Sequence, residues 1–332
     1  HPVPDARSLH AGERVLEFVS ALEEKDTLVC LISGGGSALV TAPYVPLEDL
    51  QTLTSLLLSS GAPIDEINTL RRQLDRVKGG GLARATPAKI ISLILSDVIG
   101  NPLEAIASGP TVPDPTTKVD AIAILQKYNI EKEVPKSIFG ILLSVPSLAL
   151  AGDSGNVRER VQNIIIGDNK VAAFAALKQA EQESFQAEIL TNELQGEARQ
   201  VGRDLAHRLR EEGSKRTRPF CLIAGGETTV TIMGEGKGGR NQELALSAVD
   251  NLRGLENSML LALATDGDDG PTDAAGAVVT GESASRAESL GLEAADYLSR
   301  NDAYPFFDAL GDLLKTGPTG TNVNDLAFLF AL

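Results

Sequence analysis

Ser33-Gly34-Gly35-Gly36-Ser37 places a hydroxyl at each end of three glycines, directly after the apolar run Leu28 to Ile32. Such a turn brings backbone N–H groups close to an oxyanion with no Cβ in the way, and the hydroxyls add donors. The competing reading is a turn that merely permits tight packing. This turn matches neither G-x-x-x-x-G-K-[ST] nor G-x-G-x-x-G. Asp97 follows the run Ile90 to Leu95, a strand end that suits a general base, an Mg²⁺ ligand or a helix N-cap. Ala107-Ser108-Gly109-Pro110-Thr111 can fold over the same edge.

Two later segments carry charge. In Gly234-Glu235-Gly236-Lys237-Gly238-Gly239-Arg240-Asn241-Gln242-Glu243, glycines flank two cations and lead into a helical pattern. Arg240 then sits near a helix N-terminus, where N–H groups favour an anion but an arginine opposes the dipole. A local violation of that kind is expected at a functional site. Thr265-Asp266-Gly267-Asp268-Asp269-Gly270 is dense in acids, yet it lacks the EF-hand spacing. Asp266 is a candidate for Mg²⁺ or a substrate hydroxyl, against a plain Asx-rich turn. The cations Arg71, Arg72, Arg76, Lys78 and Arg84 form either an anion-attracting patch or a solvated helix face.

These loops need strands and helices to hold them. Phe220 to Ala224 and Met259 to Ala264 are further apolar runs that end in such loops, and helical patterns alternate with strand patterns along the chain. That alternation predicts an α/β fold with a mostly parallel sheet, whose ligands sit beyond the carboxyl ends of the strands. Between Pro46 and Gly81 two helices are expected, joined at Gly61-Ala62-Pro63; the second has the stripe Ile64, Ile67, Leu70, Leu74 and Val77 and is stopped by Gly79-Gly80-Gly81. The polar run Glu211 to Arg218 marks a domain boundary, giving domains 1–214 and 215–332.

Composition narrows the function. With 332 residues, 42% apolar, the chain can build two cores, and its net charge of −15 argues against nucleic acid and anionic membranes as partners. No apolar run approaches the roughly 18 residues of a membrane span, so a cytoplasmic location is expected. Cys30 and Cys221 each lie within an apolar strand pattern, as small hydrophobes do, and His1, His10 and His207 show no zinc spacing.

Together with Val77-Lys78-Gly79-Gly80-Gly81-Leu82-Ala83, Ala224-Gly225-Gly226-Glu227-Thr228 and Thr319-Gly320-Thr321-Asn322, the motifs above resemble class II glycerate kinases over essentially the whole chain. The resemblance implies a Rossmann-like N-terminal domain, a second α/β domain of the MOFRL type, and an active cleft between them. It implies transfer of the γ-phosphoryl group of ATP, with Mg²⁺, to D-glycerate, typically giving 2-phosphoglycerate. Family members also carry an earlier segment with a Gly-Lys-Ala run, whose lysine serves catalysis, ahead of Gly-His-Pro-Val-Pro-Asp. The sequence opens at His1-Pro2-Val3-Pro4-Asp5, so on this reading the first segment is missing and turnover by this chain is impaired.

On the kinase reading, Asp97, Arg240 and Lys78 are the catalytic candidates, and Ser33, Gly34, Gly35, Gly36, Ser37 and Ser108 hold nucleotide phosphates. Glu227, Asn241, Asp266, Thr319, Thr321 and Asn322 contact substrate, and Asp97 or Asp266 holds the metal. A hydroxypyruvate or glycerate dehydrogenase is the alternative; it needs a dinucleotide fingerprint with a ribose-binding acid, which this reading does not find. A fragment that binds nucleotide or glycerate without turnover is another. The oligomeric state stays open, a homodimer included.

Overall fold

The computed structural model describes residues 3–144, 157 and 159–332, so His1 and Pro2 lie outside the described residues. The chain divides into two compact units, His1–Ile166 and Gly167–Leu332.

The first unit contains α1 (Ala6–Ser20), β1 (Thr27–Ile32), α2 (Gly36–Leu39), α3 (Leu47–Ser59), α4 (Ile64–Gln73), α5 (Gly81–Arg84), β2 (Lys89–Leu95), α6 (Lys118–Lys127), α7 (Lys136–Leu143) and β3 (Val161–Gly167). Its sheet has the order β1-β2-β3. β1 and β2 are parallel, with Ile32 opposite Ile94; the turns that follow them therefore leave the sheet side by side. Leu53, Leu57, Leu70, Leu125 and Ile138 close a core among α3, α4, α6 and α7.

The stripe expected to reach Val77 stops earlier, since α4 ends at Gln73 and Ile64 is 61% exposed. The cause is Asp75. Its buried carboxylate accepts the N–H groups of Val77 at 2.8 Å and Lys78 at 3.3 Å, a local turn that competes with helix. Gly79 and Gly80, both at positive φ, then lead into α5 instead of terminating α4.

The second unit contains α8 (Asn169–Gln182), β4 (Gln186–Leu194), α9 (Ala198–Gly213), β5 (Phe220–Gly226), α10 (Arg240–Leu252), β6 (Ser258–Ala264), β7 (Gly276–Thr280), α11 (Ser283–Ser289), α12 (Ala294–Ser299), α13 (Ala303–Leu310), β8 (Leu313–Leu314) and β9 (Asp325–Ala331). These strands form a six-stranded sheet in the order β4-β5-β9-β6-β7-β8. It is mixed rather than mostly parallel. β4 and β5 run parallel, while β9 inserts antiparallel between β5 and β6.

β5 is buried along its whole length because both faces are covered. Phe220, Leu222 and Ala224 pack with Leu209 of α9 and Leu244 of α10, whereas Cys221 and Ile223 face Ala173 and Ala180 of α8. That alternation explains the unbroken apolar run in the sequence. The boundary expected after residue 214 falls inside this unit: α8, β4 and α9 belong with the second sheet, and Glu211 to Arg218 only links α9 to β5. Cys221 is buried and its thiol is pushed up to about 12 by burial; Cys30 is half-buried and shifted the same way. Both stay neutral and unreactive near pH 7. Among the described residues, no helix is long and apolar enough to cross a membrane.

Candidate active site

In the first unit the structure brings the predicted phosphate-binding residues together. Gly34 lies so close to Asp97 that a Cβ there would run into the carboxylate and force it to shift. Gly35 takes a left-handed φ of 77° as the chain turns into α2. Ser37 Oγ lies 2.6 Å from Ser108 Oγ, and Ser108 Oγ donates to Asn68 Oδ1 at 3.1 Å. Ala107, Ser108 and Gly109 take φ values of 50°, 58° and 60° in succession. Left-handed conformations at two adjacent non-glycine residues cost about 1–3 kcal/mol each and persist only where the surroundings enforce them. Ser108 is fully buried, so it shapes the turn around Ser37 and does not offer a free hydroxyl. Ser33, by contrast, is exposed.

Lys78 is also buried. Its ammonium donates to Asp75 Oδ2 and to the Val40 carbonyl, both at 2.8 Å. Burial lowers its pKa, and the Asp75 carboxylate offsets part of that shift. With Ser33, Gly34, Gly36 and Ala107 it lines a cavity of about 390 Å³, otherwise walled by apolar side chains such as Leu28, Cys30 and Leu39.

In the second unit β5 and β6 both end beside the first residue of β9, with Gly226 and Ala264 each opposite Asp325. The loops after β5 and β6 therefore share an edge with the segment that enters β9. They enclose a pocket of about 720 Å³, lined by Glu227, Thr228, Arg240, Asp266, Asp268 and Asn322 among others. Arg240 opens α10. Its Nε donates to Asp325 Oδ2 at 2.6 Å and its Nη2 to Asp325 Oδ1 at 3.0 Å, while Nη1 is ion-paired to Glu227. Asn324, at a φ of 68°, donates from Nδ2 to the other Glu227 oxygen at 3.1 Å. Thr228 Oγ1 is buried in the pocket wall with no hydrogen-bond partner among the described residues.

Burial opposes the charge on Arg240, but the bonds to Asp325 and the nearby carboxylates outweigh it and hold its pKa above the ordinary value. Asp325 is pushed up to about 6 by burial, even though Arg240 pulls the other way. An arginine in the first turn of a helix looked electrostatically misplaced; these two carboxylates compensate it.

Asp269 completes the arrangement. Its carboxylate accepts the N–H groups of Asn241 at 3.1 Å and Gln242 at 2.9 Å, filling the capping role that Gly239 lacks a side chain to perform. A Cβ on Gly239 would collide with Asp269. Burial raises the Asp269 pKa against those N–H bonds. Asn241, predicted to touch substrate, is buried and its amide also donates to Asp269. It orients the helix start. Thr319 Oγ1 donates to the Thr265 carbonyl at 2.7 Å, and its oxygen accepts the Thr321 N–H at 3.4 Å. Both threonines are exposed on the loop before β9, and Asn322 accepts the Asn324 N–H at 2.9 Å.

Sequence reasoning missed Asp325, Asn324 and Asn68. A carboxylate beginning the last apolar strand was the one legible sign of Asp325; Asn68 gave none. Gly234-Glu235-Gly236-Lys237-Gly238-Gly239 does have G-x-G-x-x-G spacing, which the sequence reading overlooked. Residues 227–233 separate it from β5, so it is not the strand–turn–helix that a dinucleotide site requires.

Residues 1–143 match a domain of unknown function, DUF4147, and residues 220–325 match the MOFRL family. The chain is 46% identical over 332 residues to D-glycerate 2-kinase from Thermotoga maritima, covering 98% of this chain and 77% of that protein. The chain belongs to the glycerate kinase family. A crystal structure of glycerate kinase from Thermotoga maritima superposes with a TM-score of 0.91 at 44% identity, covering 100% of this chain and 79% of that one. A putative hydroxypyruvate reductase from Agrobacterium vitis is 42% identical over 335 residues, covering 98% of this chain and 75% of that protein. Membership makes the chain a phosphotransferase of α/β architecture.

Proposed function

We propose that this protein transfers the γ-phosphoryl group of ATP to a hydroxyl of D-glycerate, giving 2-phosphoglycerate, and that residues of both units serve the reaction in the cytoplasm. The observation that carries the reading is Arg240, a permanently charged guanidinium fixed at the wall of a polar pocket at the start of a helix. Phosphoryl transfer demands positioning and charge neutralisation more than covalent chemistry.

Ser33 and the N–H groups of Gly34, Gly35 and Gly36 would hold the phosphates, with Ser108 and Asn68 keeping Ser37 in place. The close approach of Gly34 to Asp97 places the turn and the carboxylate at one edge of the sheet, so that a phosphate held by the turn would lie near the acid. Asp97 takes the proton of the glycerate hydroxyl as its oxygen attacks the γ-phosphorus, and the bond from phosphorus to the ADP oxygen breaks. Arg240 offsets the charge that builds on the transferred group, and the buried Lys78, paired with Asp75, lines the cavity beside the Ser33 turn. Glu227, Thr228, Asp266 and Asn322 offer acceptors and donors to glycerate hydroxyls; Thr319 and Thr321 supply the loop beside them. Bound Mg²⁺ neutralises phosphate charge and orients the phosphates. Among the described residues, no three His, Cys, Asp or Glu side chains cluster as a metal site. A carboxylate of Asp97 or Asp266 would hold Mg²⁺ together with substrate phosphates and water, as hard oxygen donors do.

The regiochemistry is tested by adding enolase to the reaction. Enolase converts 2-phosphoglycerate directly, so absorbance of phosphoenolpyruvate is expected without a mutase. A product that enolase consumes only after mutase is added would move the phosphoryl group to the 3-hydroxyl.

A further inference from the structure

The geometry points to Asp325 as the positioning residue of the site: it grips the Nε–Nη2 edge of Arg240 and leaves Nη1 toward the pocket, where Glu227 occupies the place an anionic substrate group takes. The inference rests on the role given to Arg240 above. Three observations support it. The grip is bidentate, at 2.6 and 3.0 Å, the geometry that fixes a guanidinium plane as well as its charge. The two carboxylates differ in accessibility: the Asp325 side chain is 9% exposed and the Glu227 side chain 42%. The more accessible pair contributes less, and Glu227 is held otherwise by the Asn324 amide, so an incoming anion displaces Glu227 from Nη1 sooner than it displaces Asp325. Asp325 is itself built in, because its backbone carbonyl accepts Asn169 Nδ2 at 2.9 Å and its strand is flanked by β5 and β6.

Asp325 touches neither reacting atom on this reading and acts through Arg240. Asp325→Asn keeps the shape but frees the guanidinium to swing, and misplacement of about 1 Å costs on the order of 10²-fold in rate. The expected result is a kcat about 10²-fold lower, with KM for D-glycerate changed far less, and, since lysine keeps part of the contact with Asp325, a combined loss with Arg240→Lys well below the product of the two single losses. A second readout does not depend on turnover. In protein labelled with ¹⁵N-arginine, the Arg240 Nε–H resonance stands apart from those of solvent-exposed arginines and rejoins them in Asp325→Asn.

Multiplicative losses in the double variant, or an unchanged kcat per folded molecule, overturn the inference. Should the Asn variant fail to fold, Asp325→Glu keeps the buried charge paired but moves it by one methylene. A lower kcat with a shifted Nε–H resonance is expected from it, and full activity despite the shift contradicts the assignment. Absence of glycerate phosphorylation by the unaltered protein would refute the proposed function instead, and the resonance would then decide the role of Asp325 alone.

Discussion

Replacing Arg240 with lysine lowers kcat for glycerate phosphorylation by about 10²- to 10³-fold while the melting temperature moves only slightly. Lysine keeps a cation beside Asp325, so no buried carboxylate is left unpaired. It cannot keep the planar fork that reaches Asp325 through Nε and Nη2 and Glu227 through Nη1 at once. Alanine is a poorer test. It strands Asp325, which is buried and already pushed up to about 6, and breaking such a pair costs about 3–5 kcal/mol of stability. Loss of activity in the alanine variant would mix chemistry with unfolding. Steady-state kinetics on the lysine variant, with thermal melts alongside, check the expectation; near-normal turnover removes Arg240 from the mechanism.

Asp97→Asn has an expected effect at least as large, a loss of about 10²- to 10⁴-fold in kcat at unchanged thermal stability. The substitution preserves the volume of the side chain that packs against Gly34. As general base, Asp97 gives the wild-type rate an acid limb that disappears in the variant. As an Mg²⁺ ligand, it gives instead a higher Mg²⁺ requirement with partial recovery of rate. A collapse of the melting temperature would assign Asp97 to the turn rather than the chemistry.

The strand-to-loop junctions were legible in the sequence because apolar strands and glycine turns are local signals. β1, β2, β5 and β6 fall where the apolar runs predict them, and α10 begins at Arg240, directly after the glycine run. What the sequence could not express was pairing. Nothing local tells that the last apolar run returns antiparallel between β5 and β6, and so nothing tells that Asp325 lands against Arg240. The end of α4 was misjudged for a related reason: the stripe through Val77 is apolar enough for a helix, but the buried Asp75 captures two backbone N–H groups and turns the chain. Asn241 shows a different kind of long-range dependence. A polar side chain next to Arg240 was expected to touch substrate; in the fold it is buried and its amide donates to Asp269.

The measurement that bears most directly on the central claim is ADP release from ATP and Mg²⁺, coupled to NADH consumption through pyruvate kinase and lactate dehydrogenase, with D-glycerate present or omitted. ADP formation that depends on D-glycerate is the result expected of a phosphotransferase acting on that acceptor. No D-glycerate-dependent ADP, together with direct oxidation of NADH by hydroxypyruvate in the absence of the coupling enzymes, would contradict the account.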